Sequence, residues 1–352
     1  MSNSLPLSPL SAPVMPAEWE RQDAIILAWP HSGTDWAPML HEAQACFSRV
    51  AQAIVSEMAL IVITPEVEEV RRQLAHIDNH DRIIYQSIAT NDTWARDFGP
   101  ISVVDQGRRI LLDFKFNAWG MKFASNYDNL ICREMASNGI FSAPLINCQD
   151  FVLEGGSIES DGIGTILTTT TCLLSHNRND SLDKKHIEDV LCQRLGAKKV
   201  LWLEHGYLEG DDTDSHIDTL ARLAPGNTIL YVQSRGTRDE QDLSLKLMEQ
   251  ELKAMTNASG DAFNLVPLPC PEPIVDEAGE RLPATYANFL ITNTQVLVPV
   301  YNQPSNDARA LEAIAQVFPG RRVAGIDCNA LIQQHGSLHC ITMQIPHNFL
   351  NI

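Results

Sequence analysis

"RDFGPISVVDQGRRILLDFK" occupies residues 96–115, and its reading decides the fold. It holds two runs, 96–105 and 109–115, that read as strands with only three residues between them. No helix fits in that gap. The same adjacency recurs at 151–160 and 164–170. Further strands are expected at 24–30, 59–65, 199–203, 227–233, 263–268, 287–301, 323–327 and 338–345. Helices are expected near 66–76, 180–195, 238–256 and 306–317, with an amphipathic stretch from about 36 to 57. A doubly wound sheet needs about one helix per strand, whereas here strands outnumber helices by about two to one. The pattern points to a ββα-type unit used repeatedly.

The 352 residues are 44% apolar and only 20% charged, so the chain can bury a large core and has no bulk signature of disorder. No exact repeat, low-complexity linker or composition shift marks a boundary. One domain is therefore expected over 17–352, behind a loose Ser- and Pro-rich arm at 1–16. The net charge of −18 and the lack of basic runs argue against nucleic acid or an anionic membrane as partner. The same charge permits a cationic ligand, and it also serves solubility. Eight cysteines, none in a C-x-x-C pair, read as reduced thiols. The N-terminus lacks a basic start and an apolar core, and no run reaches 18 apolar residues, so a cytosolic protein is expected. A homo-oligomer is compatible with all of this.

Four polar clusters lie at or beside strands: "NDTWARDFGP" (91–100), "LEGGS" (153–157), "EGDDTDSHID" (209–218) and "HGSLHCIT" (335–342). Each joins a functional side chain to a glycine or another turn-forming residue, as expected where backbone must pass close to a ligand. The third packs five carboxylates around His216. It fails as a calcium loop, with Ser215 and His216 where the glycine turn belongs and Arg222 at the end. No second histidine stands at the spacing of a catalytic zinc site, so no metal is expected. On a strand, Asp214, His216 and Asp218 would share one face, and a carboxylate beside a histidine suits a general acid and base. A solvated acidic loop would look the same. Asp97 beside Arg96, and Glu154 before two glycines, are each compatible with plain turn and salt-bridge roles. A lone cysteine in an apolar segment is usually a buried hydrophobe. Cys340 stands out from the other seven by His339 next to it and the Gly336–Ser337 turn before it.

Taken together, the clusters resemble the agmatine deiminase and bacterial-type peptidylarginine deiminase family of guanidino-group modifying enzymes. The resemblance rests on W-x-R-D-x-G-P at Trp94 to Pro100, L-E-G-G-S at Leu153 to Ser157, T-D-x-H-x-D at Thr213 to Asp218, and H-C-x-T at His339 to Thr342. "FNAWG" (116–120), "NRN" (177–179) and "DARALE" (307–312) are similar to family segments as well. It implies an α/β fold, a five-bladed propeller (pentein) of ββαβ units around a central active site, with a cysteine nucleophile and no cofactor. It further implies Cys340 as nucleophile, His216 as acid and base, and Asp97, Glu154 and Asp218 as the carboxylates that bind a small cationic guanidino substrate.

Elementary chemistry supports that set. A guanidinium is planar and resonance-stabilised, so its carbon is attacked poorly until carboxylates fix the plane and accept its N–H donors. A thiolate among carboxylates is unfavourable, on the order of 4 kcal/mol for like charges about 4 Å apart at an effective dielectric near 20. A cationic substrate offsets that repulsion. The expected reaction converts agmatine to N-carbamoylputrescine and ammonia through a covalent thiouronium adduct. Trp94 is expected to stack on the cation or wall the pocket. Asp218, with Asp214 beside it, would touch the guanidinium; Asp211 and Asp212 would meet a distal amine or merely shape the loop. The sequence departs from typical agmatine deiminases in "QQHGSLHCITMQ", where a glycine-rich run is usual, and in Asp212, where glutamate is usual. Free, peptidyl or methylated arginine are the rival substrates. Amidino transfer to an amine, or guanidine binding without catalysis, are more distant readings.

Overall fold

A computed structural model describes residues 10–351. The expected unit is present, with one strand more than the sequence pattern suggested. Ile101–Asp105 and Arg108–Lys115 pair antiparallel, helix Ile131–Ser137 follows, and Leu145–Val152 returns parallel to the second strand. The same order of antiparallel pair, helix and parallel strand recurs three times. It appears with Glu159–Ser160, Thr165–Thr169 and Lys199–Leu203, and with Ala221–Ala224, Thr228–Val232 and Asn264–Leu268. Leu290–Ile291, Gln295–Val300 and Arg322–Asp327 form the next. A fifth sheet joins the two ends of the chain: Thr342–Pro346 pairs antiparallel with Gln22–Ala28, and Ala59–Thr64 and Ile83–Ser87 add parallel strands. Each parallel return needs a crossover, which is why a helix appears only once per strand pair.

The helices follow from their patterns. Leu40–Val55 buries Ala43, Cys46, Phe47, Val50, Ala51, Ile54 and Val55, a stripe at three- and four-residue spacing that covers the fifth sheet. Each large side chain so buried contributes roughly 1.5–3 kcal/mol. Lys184–Leu195 begins later than the expected 180 because Asp183 caps it, accepting from His186 N, and it ends at Gly196 in the left-handed region. Among the described residues, no helix is long and apolar enough to cross a membrane.

Several strand expectations need correction, most of them because the polar clusters interrupt the strands. The run 96–105 becomes strand only at Ile101, because Ala95–Phe98 form a helical turn. The run 151–160 is the end of one strand, the turn Gly155–Ser157 and the start of another. The run 287–301 is broken at 292–294, and 338–345 becomes strand only at Thr342. His216 and Asp218 lie on a loop and the turn Ile217–Thr219, not on a strand. The strands Ile83–Ser87 and Ala221–Ala224 carry too mixed a pattern to be seen in the sequence.

Of the expected loose arm, residues 1–9 lie outside the described residues. Residues 10–16 are not loose. Pro13–Val14 add an edge to the first sheet, Ala12 N donates to Asp105 Oδ1 (2.8 Å), and Met15 N donates to Leu195 O (3.0 Å). Proline is tolerated there because an edge strand leaves one side of its backbone unpaired.

Candidate active site

Each of the five units places a buried polar residue within five positions upstream of its first strand: Asp97, Glu154, Asp218, Asn288 and Cys340. A repeated unit delivers equivalent positions to equivalent places, and here they meet. Gly156 shows how closely. A Cβ at this position would lie 2.7 Å from His216 Nδ1, 2.8 Å from Asp97 Oδ1 and 3.0 Å from Asp218 Oδ2. Only glycine lets three functional side chains approach one point, which is the physical content of "LEGGS".

Cys340 Sγ lies 3.3 Å from Asn288 Oδ1 and 3.8 Å from Asp218 Oδ2. Asn288 Oδ1 also accepts from the backbone N–H groups of His339 (2.8 Å) and Cys340 (3.2 Å), so it fixes the thiol's loop. Burial, together with Asp218 and Asp97, pushes the Cys340 thiol well above its ordinary pKa. The resting thiol is therefore protonated. Burial works to keep His216 neutral, but Asp97, Cys172 and Glu154 outweigh it and hold its pKa well above the usual histidine value. His216 Nδ1 lies 3.7 Å from Asp97 Oδ1, and neither ring nitrogen has a hydrogen-bond partner although both are buried. Asp97 accepts from Gly156 N and Trp119 Nε1, each at 2.9 Å, and burial raises it to about 6.

Asp218 is held from one side only. Oδ2 accepts from His339 Nδ1 (2.7 Å), while Oδ1 is buried without a partner. Burial raises its pKa, but His339, His216 and Arg222 together bring it below the ordinary value, so it is a carboxylate. A buried carboxylate oxygen and two imidazole nitrogens left unsatisfied in one place mark a site built for a polar ligand.

Glu154 is paired with a buried arginine. Both of its oxygens accept from Arg178 Nε (2.8 and 3.0 Å). Arg178 also donates to Thr213 O (2.9 Å) and to Asp214 Oδ2 (2.5 Å). Asp214 is thus taken up by Arg178 and, at 2.8 Å, by Lys122, and does not face the thiol. Asp211 accepts from Thr213 Oγ1 (2.6 Å) and Ser215 N (2.7 Å), which makes it the shaper of its own loop. Of the three loop aspartates expected at the substrate, only Asp212 lines the cavity.

That cavity, about 180 Å³, is lined by Cys340 and by four aspartates, Asp35, Asp92, Asp97 and Asp212. Among its described lining residues there is no lysine or arginine. Burial, helped by Asp35, raises Asp92 to about 7; burial and Asp211 also raise Asp212. Trp94 and Trp119 wall it. Gly336 packs against Trp94 so tightly that a Cβ would lie 2.1 Å from the ring. Trp119 is presented by four successive left-handed residues, Ala118 to Met121, with φ of 52°, 53°, 89° and 67°. Such a run is costly for side-chain-bearing residues and persists because its surroundings hold it. Here Asn117 Oδ1 accepts from Gly120 N (3.0 Å) and Asp97 takes the indole N–H.

Two sets of side chains have the donor atoms of a metal site: Glu154 with Cys172 and His216, and Glu18 with Glu159 and His339. In both, an arginine is already bonded to a carboxylate that an ion would need, Arg178 in the first and Arg222 in the second. The sequence reading assigned no role to Arg178, Trp119, Asn288, Cys172, Glu18 or Arg222. Arg178 and Trp119 stand in the quoted "NRN" and "FNAWG"; Asn288 was detectable only by its place just before a strand pair.

The mixed α/β repeat and the buried thiol, imidazole and carboxylates define a class of protein, and the comparisons give its family. The Porphyromonas-type peptidyl-arginine deiminase family profile matches residues 14–346, and this chain belongs to that family. A Marinomonas protein named "Putative agmatine deiminase" is 35% identical over 98% of both chains. The solved structure of a Porphyromonas gingivalis protein called a "Putative Arginine Deiminase" is 49% identical, with a TM-score of 0.92 over 96% of this chain and all of that one. That of C. jejuni agmatine deiminase, a Cys-to-Ser variant with substrate bound, is 36% identical with a TM-score of 0.88, covering 96% and 97%.

Proposed function

We propose that this protein is an agmatine deiminase, hydrolysing a C–N bond of the linear amidine to give N-carbamoylputrescine and ammonia. The observation that carries the reading is the cavity: a thiol and four aspartates, Asp35, Asp92, Asp97 and Asp212, line it, with no described lysine or arginine to meet a substrate carboxylate. A substrate with a guanidinium at one end and an ammonium at the other fits that wall. We read 17–352 as one catalytic domain and the sheets of the five units as the blades of a propeller around this site, in a cytosolic enzyme that needs no cofactor.

In this reading Asp97, Asp218 and the Arg178-held Glu154 fix the guanidinium plane. The bound cation lowers the Cys340 pKa, the thiol proton passes to solvent, and the thiolate adds to the guanidino carbon. His216, protonated at rest, donates to the departing nitrogen, and ammonia leaves a thiouronium adduct on Cys340. Neutral His216 then takes a proton from water as its oxygen adds to that carbon. Collapse expels the thiolate and releases the ureido product.

The test is to give the protein agmatine, arginine and an arginine-containing peptide and to measure ammonia and ureido product from each. Turnover of agmatine alone supports the reading; turnover of arginine but not agmatine would replace it. Arginine is the second reading, favoured by the name of the Porphyromonas gingivalis structure.

A pH dependence follows from Asp97 and Asp92, raised by burial to about 6 and about 7. Carboxylates with raised folded-state values favour folding while protonated, below the ordinary range, and lose that contribution as pH rises through the folded value. A bound cation reverses the preference. Agmatine affinity, measured by calorimetry on the Cys340→Ser protein, is therefore expected to strengthen as pH rises through about 6 to about 7. The limiting slope is about tenfold per pH unit for each proton displaced. A flat profile would contradict the assignment.

A further inference from the structure

Beyond Asp218, on the side away from the cavity, lies a second layer of charge. His339 Nδ1 bonds Asp218 Oδ2, and His339 Nε2 lies 2.8 Å from Glu18 Oε1. Glu18 also accepts from Arg96 Nη1 (3.0 Å), Arg222 Nη2 (2.6 Å) and Gln344 Nε2 (3.1 Å). Arg222 in turn bonds Glu159 and the carbonyls of Ala287 (3.0 Å) and Phe289 (2.6 Å), which flank Asn288. A single glutamate from the N-terminal segment thus ties together the loops that carry Asp97, Asp218, Asn288 and Cys340. Asp218 Oδ1 is left unpartnered, whereas Oδ2 is occupied.

We infer that His339 is a positioning residue for Asp218, and that Glu18 is the anchor that keeps His339 in place. The His339 Nδ1–H group occupies Oδ2, fixes the carboxylate's rotation and so leaves Oδ1 for the substrate guanidinium. With Asp218 ionised, Nδ1 must be the protonated nitrogen at that contact, because a lone pair 2.7 Å from a carboxylate oxygen would be repulsive. The other nitrogen, Nε2, accepts from Arg222 Nη2 (3.1 Å), and Glu18, bonded to that same arginine nitrogen (2.6 Å), keeps the donor in place and with it the angle of the ring. The inference rests on the reading of Asp218 as a guanidinium-binding residue.

Two substitutions separate the two faces of the ring. In His339→Asn the amide N–H₂ can stand near the position of Nδ1 and keep the bond to Asp218; in His339→Gln it reaches toward the position of Nε2 and Glu18. Agmatine binding is measured in the Cys340→Ser background, and kcat and KM with Cys340 intact. The Asn variant should bind within about threefold of the parent, while the Gln variant should lose about 10- to 100-fold in affinity and at least as much in kcat/KM. Equal losses, or Gln outperforming Asn, would overturn the inference, since a merely structural histidine would not distinguish its two faces in this order. Should neither variant fold, Glu18→Gln tests the anchor. Weaker agmatine binding with an unchanged melting temperature supports it, and an unchanged Kd overturns it. Asp218→Asn is the reference. If it binds agmatine like the parent, the guanidinium reading of Asp218 fails; if it does not, and the His339 pair shows no difference, only the present inference fails.

Discussion

Cys340→Ala protein is expected to form no ureido product from agmatine, with kcat lowered by about 10⁴-fold or more. In the proposed mechanism the carbon–sulfur bond is what divides one difficult displacement into two easier ones, and alanine cannot form it. The choice of Cys340 over the other seven thiols is geometric: it is the one cysteine in the lining of the cavity, beside Asp218. Cys172 is its nearest rival, close to His216 and Glu154 but absent from the cavity wall. An alkylating reagent should therefore label Cys340 ahead of Cys172, and agmatine should protect it. Because burial and two carboxylates hold the resting thiol protonated, labelling in the absence of substrate should be slow at neutral pH. Substantial turnover by the alanine variant would remove covalent catalysis from the reading.

Arg178→Ala should destabilise the protein by about 3–5 kcal/mol, the cost of leaving a buried carboxylate without its cation. Arg178 and Glu154 side chains are both fully buried, and Arg178 alone joins Glu154, Asp214 and the carbonyl of Thr213. Urea unfolding measures the effect. The comparison is Lys122→Ala, which removes the half-exposed contact to the same Asp214 and should cost no more than about 1 kcal/mol. Similar losses for the two would mean that water or neighbours relieve Glu154. Activity of the Arg178 variant should fall as well, because an unpaired Glu154 would gain a proton or turn from its place between Arg178 and the site.

How far the site was legible in the sequence differed by residue. Asp97, Glu154, His216, Asp218 and Cys340 stood out by resemblance and by their glycine-flanked settings, and the structure brings them together. Asp211 and Asp214 show where such reading stops. A row of aspartates looks uniform as letters, yet one is spent on its own loop's N–H and O–H groups and another on two cations. Asn288 and Glu18 carried no local signal, since an asparagine before an apolar run and a glutamate in a Pro-rich segment are ordinary. The strand ends were misplaced at the same sites, because Arg96, Asp97 and Glu154 seek specific partners and bend the backbone away from the strand path.

The sequence by itself determined the repeating order of strand pair and helix, since side-chain periodicity and short gaps are local properties, while the parallel returning strand of each unit was added by the structure. It also determined which residue types could perform chemistry on a guanidinium. Only the tertiary structure decided which carboxylates are paired and which are left unpaired near the thiol, because that depends on where Arg178, Arg222, Lys122 and His339 arrive from distant parts of the chain. A carboxylate's role is set by the donors that reach it first, and those donors are neighbours in space rather than in sequence.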